Sequence, residues 1–183
     1  MQSANTIKKN SETLKTVTLS AMFAALVTVT TAFIKIPTPL GYVHAGDSMV
    51  YLSATVLPGP FGIIAGSIGG GLADLISGYP YWAVPTMIIK ALNVLPFFLC
   101  RLALKNSPRS RKIVNLPNLL MIIPASIITL GGYLLADWFF YDLSAAVADL
   151  IPNLMQVIVA AVLYVAFGLS LDAISFKQKL FSQ

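Results

Sequence analysis

Two ionisable residues and several amides lie inside long apolar stretches of this sequence, where polar groups are rare. Asp74 lies near the end of one apolar run, and Lys90 lies a few residues into the next, with Asn93 one helical turn further on. Later in the chain, Asn153 and Gln156 are also three residues apart, which puts both on one helix face. Because a charge in a bilayer is costly, we expect such residues to bind one another or a polar guest.

The predicted depths of Asp74 and Lys90 support a pairing. At about 1.5 Å per residue, Asp74 would lie about 6 Å and Lys90 about 8 Å below the same membrane surface. The two runs are consecutive and therefore antiparallel. The spacing predicts that these residues pair with each other or contact a common polar ligand. The alternative is that they form an ion pair with a structural role only.

The same residues do not form a catalytic arrangement. His44 is the single histidine, and we find no serine or cysteine placed to form a nucleophile and base with it. No spacing of metal ligands or paired carboxylates is evident. We therefore expect neither enzyme activity nor a cofactor, and no ATP site.

The composition indicates a membrane protein. Of 183 residues, 57% are hydrophobic and 10% are charged, whereas a soluble domain carries roughly 25% charged residues. A membrane-spanning helix needs about 20 largely apolar residues, which leaves room for about six spans. We predict an all-α membrane protein with one domain over 1–183 and six transmembrane helices, at about 15–35, 47–58, 60–77, 84–104, 116–137 and 146–174.

The basic residues orient these spans. Cytoplasmic loops are enriched in lysine and arginine, and ten of the twelve basic residues precede span one, lie between spans four and five, or follow span six. They fall on one side if both termini are cytoplasmic. The net charge of +5 is thus a topology signal, and we expect no nucleic-acid partner. The ten residues are Lys8, Lys9, Lys15, Arg101, Lys105, Arg109, Arg111, Lys112, Lys177 and Lys179.

Aromatic and polar residues gather at the predicted outer surface. Tyr42 and His44 belong to the first outer loop, while Tyr79 and Trp82 belong to the second. An apolar, aromatic cavity with a few polar groups is typical of a small-molecule site. The aromatics could instead be interfacial anchors. Asp47 is interpreted as a helix N-cap rather than a ligand contact.

Small residues predict close helix contacts. Gly62, Gly66 and Gly70 recur at a spacing of four, which lets another backbone approach closely. Ala21 and Ala25 form a similar face on span one. The sequence leaves open whether this second face packs within the chain or docks a separate membrane subunit.

Two motifs resemble the substrate-binding S components of energy-coupling factor (ECF) vitamin transporters. One is Thr38-Pro39-Leu40-Gly41-Tyr42-Val43-His44-Ala45-Gly46-Asp47. The other is Leu72-Ala73-Asp74-Leu75-Ile76-Ser77-Gly78-Tyr79, followed by Trp82 and Ile88-Ile89-Lys90. The likeness covers nearly the whole chain and is strongest to the hydroxymethylpyrimidine or pyridoxine group.

The resemblance implies a binding subunit of an ATP-driven importer in a prokaryotic plasma membrane. Its partners would be a transmembrane coupling protein (T component), docked on Ala21 and Ala25, and two cytoplasmic ATPase subunits. The expected guest is a water-soluble vitamin or precursor, and the candidate contacts are Tyr42, His44, Asp74, Tyr79, Trp82, Lys90, Asn93 and Gln156. The alternatives are a riboflavin- or pantothenate-type S component, a stand-alone secondary transporter, or a membrane scaffold.

Overall fold

The computed structural model describes residues 2–39, 41–104, 107 and 111–181, and these are almost entirely helical. The helices are α1 Gln2–Phe33, α2 Gly46–Val56, α3 Phe61–Ser77, α4 Ala83–Ala103, α5 Leu116–Phe140, α6 Leu143–Ala148, α7 Leu150–Ala173 and α8 Phe176–Phe181. A short 3₁₀ turn, Pro80–Trp82, leads into α4. The predicted all-α class is confirmed.

Four helical segments are long and apolar enough to cross a membrane. They are Asn10–Phe33, Pro80–Ala103, Leu116–Phe140 and Leu143–Ala173, and Phe61–Ser77 is apolar but shorter. The six-span count and the orientation of the termini therefore remain predictions.

The short helix α2 forms the centre of the bundle. All eleven of its residues are buried, and it contacts α1, α3, α4 and α7. Its length of about 16 Å is only half of a hydrocarbon core of roughly 30 Å. Ser48 and Ser53 donate their hydroxyl protons to the backbone carbonyls of Ala45 and Val50. A helix with several hydroxyls can be buried because these polar groups are satisfied locally.

The glycines of α3 allow it to pack closely against its neighbours. A β-carbon built on Gly69 would lie 2.6 Å from the carbonyl oxygen of Ala24 in α1, and one built on Gly62 would lie 2.9 Å from the Cα of Ala54 in α2. The predicted close approach is confirmed at Gly62, and Gly69, next to the predicted series, makes another. Both partners are helices of this chain.

A β-hairpin replaces the loop expected between the first two spans. Strands β1 Lys35–Thr38 and β2 Gly41–His44 are antiparallel, and Lys35 lies opposite His44. The backbone N–H of Ala45 donates to the carbonyl of Ile34 at 3.1 Å and joins the base of the hairpin. Pro37 fits here because each strand of a two-stranded sheet has an unpaired edge.

The last predicted span is interrupted near its start. Helix α6 ends at Ala148 and α7 begins at Leu150. Asp142 caps α6, since its carboxylate accepts a hydrogen bond from the backbone N–H of Ala145 at 2.8 Å. The break therefore lies within the predicted range 146–174.

Candidate functional site

A cavity lies beneath the hairpin at one end of the bundle. Water-sized molecules can occupy about 40 Å³ of it, and its empty space is about 420 Å³ when the open mouth is included. Its walls come from the hairpin, α3, the 3₁₀ turn, α4, α5 and α7. The lining residues are Tyr42, His44, Asp74, Tyr79, Trp82, Thr86, Tyr133, Asp137, Asp149, Asn153 and Gln156.

The structure brings six of the eight predicted contact residues to this cavity. These are Tyr42, His44, Asp74, Tyr79, Trp82 and Gln156. Lys90 and Asn93 are fully buried and are not part of its lining. The Asn93 side-chain amide donates to the hydroxyl of Thr129 in α5 at 2.9 Å.

Lys90 pairs with Asp47, so the predicted pair with Asp74 is wrong. The Lys90 ammonium and the Asp47 carboxylate form a salt bridge in which neither side chain is exposed. The ammonium also lies 5.0 Å from the centre of the Tyr133 ring. Asp47 is therefore not the N-cap of α2, a position that Ala45 occupies without a side-chain hydrogen bond. Because α2 is buried, a carboxylate in its first turn needs a cation rather than solvent.

Gln156 connects this ion pair to the hairpin. Its side-chain amide donates to Asp47 at 3.0 Å, and its side-chain oxygen accepts from the backbone N–H of His44 at 3.1 Å. One residue of α7 thus contacts both the start of α2 and the second strand, which fixes their relative position.

The hairpin is attached to α3 by polar contacts. The Tyr42 hydroxyl donates to Asp74 at 2.6 Å, and the Lys35 ammonium donates to the Ser77 hydroxyl at 2.7 Å. Lys35 also lies 4.4 Å from the centre of the Tyr42 ring. Burial and the nearby Asp74 charge raise the pKa of Tyr42, which therefore stays protonated as the donor.

His44 is a neutral part of the cavity wall. Its Nδ1 accepts a hydrogen bond from the backbone N–H of Gly46 at 3.1 Å. Burial, reinforced by the charge of Lys90, lowers the pKa of His44 to about 3. At neutral pH this imidazole adds no positive charge to the site.

Aromatic rings line one side of the cavity. Tyr79 lies 5.5 Å from Tyr42 between ring centres, and Trp82 lies 5.8 Å from Tyr133. Such rings can stack on a flat heterocycle.

Several lining residues were not among the predicted contacts. They are Thr86, Tyr133, Asp137, Asp149 and Asn153. The sequence offered two signals for these residues. Asn153 and Gln156 share a helix face, and the two aspartates lie near predicted helix ends. Tyr133 and Thr86 carried none, because each lies in an ordinary apolar run.

Three buried polar atoms of the lining residues have no hydrogen-bond partner among the described residues. They are the indole Nε1 of Trp82 and one carboxylate oxygen each of Asp74 and Asp137. Native proteins leave few such groups unpaired. All three atoms belong to residues that line this one cavity.

A different feature, the small-residue face of α1, lies on the outside of the bundle. Ala21 and Ala25 are exposed, whereas Ser20, Phe23 and Val27 on the other face are buried. The two alanines therefore do not pack within this chain.

Comparison with known proteins identifies the family of this chain. The family described as ECF-type riboflavin transporter, S component, matches residues 11–173. A protein of Pyrococcus woesei, described only as an uncharacterized protein in gap 3'region, is 34% identical over 138 residues. That alignment covers 72% of this chain and 84% of the relative. Because the family match extends over most of the sequence, the chain belongs to the S components of ECF-type transporters.

Proposed function

We propose that this chain is the substrate-binding membrane subunit of an ATP-driven ECF-type importer, and that it carries a water-soluble vitamin or precursor. Hydroxymethylpyrimidine, the thiamine precursor, and pyridoxine are the preferred guests. The family supports membrane transport, and the residues proposed to contact the guest are the lining residues of the cavity beneath the hairpin. Lys90 and Asn93 support that wall from behind.

The single observation that carries this proposal is the set of unpaired buried atoms in the cavity. A donor on Trp82 and acceptors on Asp74 and Asp137 lie beside aromatic rings. A planar heterocycle with polar substituents could stack on the rings and supply the missing hydrogen bonds. Both preferred vitamers have that form.

The charge distribution supports an outward-facing cavity. At the opposite end of the bundle, the Lys15 ammonium contacts the carbonyl of Leu180 in α8, and Arg101 and Lys177 line a second, smaller cavity. Basic residues favour the cytoplasmic side. We therefore assign both termini to the cytoplasm, with six membrane passages and the ligand cavity near the outer surface.

The proposed partners are a transmembrane coupling protein and two cytoplasmic ATPase subunits. Ala21 and Ala25 would dock the coupling protein, because their exposed small side chains let another helix approach closely.

Riboflavin is a second candidate guest, favoured by the description of the family. A flavin is a tricyclic ring system and would need a wider opening between the hairpin and α5 than a single ring does. Competition among riboflavin, hydroxymethylpyrimidine and pyridoxine for the purified protein separates these guests.

The two tryptophans provide a direct test of the site. Trp82 lines the cavity, whereas Trp138 is 57% exposed. In the Trp138→Phe variant, the remaining Trp82 should report guest binding by a change in fluorescence. The matched Trp82→Phe variant should lose that signal and bind at least about tenfold more weakly by calorimetry, since it loses a buried donor and the larger stacking area of the indole.

Mass spectrometry of guest retained through purification identifies the ligand without prior assumptions. A vitamin that binds Trp82→Phe and wild type equally well would place the site elsewhere. Absence of any retained or titratable vitamin, or ion-driven flux by this chain alone in liposomes, would refute the proposed role.

A further inference from the structure

We infer that the cavity accepts a neutral or cationic ring rich in hydrogen-bond donors, such as one with an amino substituent, and rejects vitamins that carry a carboxylate or phosphate. The inference rests on the proposed function and specifies the chemistry of its guest. It also excludes pantothenate, which is an anion.

Three carboxylates from separate parts of the chain line the cavity. Asp74 belongs to α3, Asp137 to α5 and Asp149 follows α6. Asp74 and Asp137 are 5% and 1% exposed, respectively. Water therefore screens them little, and electrostatic interactions in such a site are stronger than at a surface.

The described lining residues contain no lysine or arginine to balance these acids. Lys90 is the nearest buried cation, but it is outside the lining and paired with Asp47. Lys35 lies outside the lining as well, bound to Ser77 and placed over the Tyr42 ring. His44 accepts a hydrogen bond at Nδ1 and is uncharged. Lys35 and Lys90 act on Asp74 from outside the lining, so an anionic guest would meet three carboxylates directly and these two cations only behind the wall.

The unpaired atoms define a complementary guest more closely. Tyr42 occupies one oxygen of Asp74, and Asn153 donates to Asp149 at 2.8 Å. One oxygen of Asp74 and one of Asp137 remain as acceptors, while Trp82 Nε1 remains as a donor. A fitting ring therefore offers at least two donors and one acceptor, as an aminopyrimidine does. The face of Trp82 would also favour a cationic ring, whereas the Tyr133 ring already has the Lys90 ammonium 5.0 Å from its centre.

A series of ligands with one pyridine ring tests this charge preference. Pyridoxamine, pyridoxine and 4-pyridoxate carry an aminomethyl, a hydroxymethyl and a carboxylate group at the same ring position. With wild-type protein at pH 7, we expect pyridoxamine to bind at least as tightly as pyridoxine, and 4-pyridoxate at least about 100-fold more weakly by calorimetry. Hydroxymethylpyrimidine and its 4-hydroxy counterpart form a second pair, in which the amino compound should bind more tightly.

Asp137→Asn tests the carboxylate itself, with Asp142→Asn as its control. Asp142 is an exposed helix cap, and asparagine also caps helices well. Asp137→Asn should weaken the binding of amino ligands about tenfold or more, and it should reduce the difference in affinity between pyridoxamine and 4-pyridoxate. Asp142→Asn should change neither the affinities nor this difference.

The outcomes separate the two proposals. Tight binding of 4-pyridoxate or pantothenate by wild-type protein overturns the charge preference and leaves a vitamin-binding subunit. Unchanged selectivity in folded Asp137→Asn also overturns it. If no vitamin of any charge binds, the proposed function fails together with this inference.

Discussion

At the scale of single residues, the buried ion pair of Lys90 and Asp47 underlies one wall of the cavity beneath the hairpin. Neither side chain is exposed, and both are in contact with cavity residues, through Gln156 for Asp47 and Tyr133 for Lys90. Burying two charges is costly, and their mutual attraction offsets that cost only while both are present. The pair therefore ties α2 and α4 together.

Removing one partner should be much more harmful than removing both. Lys90→Met and Asp47→Asn should each lower the free energy of unfolding by about 3–5 kcal/mol, because one buried charge or its polar remnant is left without a partner. The double variant should regain a large part of that loss. Thermal unfolding of the four proteins in detergent measures the coupling, and purely additive losses would contradict it.

The sequence predicted which polar residues converge but not how they pair. Asp74, Lys90 and Gln156 do gather at one end of the bundle, as their depths along the helices indicate. Depth does not fix the direction in which a side chain points, so Lys90 was assigned to the adjacent helix α3 rather than to α2. Asp47 was misinterpreted because a short helix that is buried on all sides resembles an ordinary span.

At the scale of secondary-structure elements, α3 determines how closely the bundle packs. Gly69 faces the α1 backbone so closely that a methyl group would lie 2.6 Å from the carbonyl oxygen of Ala24 and 2.7 Å from the Cβ of Val27. Neither neighbour is the flexible end of a side chain. The α1–α3 contact therefore cannot accommodate a larger residue without a backbone shift.

Gly69→Ala should destabilise the protein by about 1–3 kcal/mol, the usual cost of overpacking. Gly131→Ala in α5 is the matched control, because nothing lies within 4 Å of its added methyl group. The control should have equal or slightly higher stability, since alanine favours a helix more than glycine does. Melting temperatures in one detergent compare the two, and equal losses would argue against the tight contact.

The elements themselves were predictable to different degrees. Long apolar runs such as α4 and α5 appear near their predicted positions, because length and hydropathy are enough to define them. The hairpin at 35–44 was not predicted, because its prolines and glycine favour loops in general. The break between α6 and α7 was hidden as well, because both pieces are apolar and the connection at Asp149 is a single residue.

At the scale of the whole molecule, the two ends differ in chemistry. One end carries the hairpin, the aromatic wall and the acidic cavity. The other carries Lys15 beside α8 and the cavity that Arg101 and Lys177 share. This polarity agrees with the proposed outward ligand site and cytoplasmic partners, and the exposed α1 face lies on the side of the bundle between the ends.

The proposed docking surface on α1 should be separable from the ligand site. Ala21→Leu and Ala25→Leu enlarge exposed side chains without touching the cavity, so both variants should fold and bind vitamin with wild-type affinity. Each should reduce co-purification with the coupling protein, and vitamin uptake by cells, about tenfold or more, because a leucine separates helices that small residues let approach.

Ala166→Leu is the control for that experiment, because Ala166 is an exposed alanine on α7. It adds the same bulk to another surface of the bundle and should leave both assembly and uptake unchanged. Equal impairment by all three variants would indicate a general defect in the membrane rather than a docking face. Full assembly with both α1 variants would place the contact with the coupling protein on another surface. Loss of assembly with intact vitamin binding would show that docking and vitamin binding use different parts of the bundle.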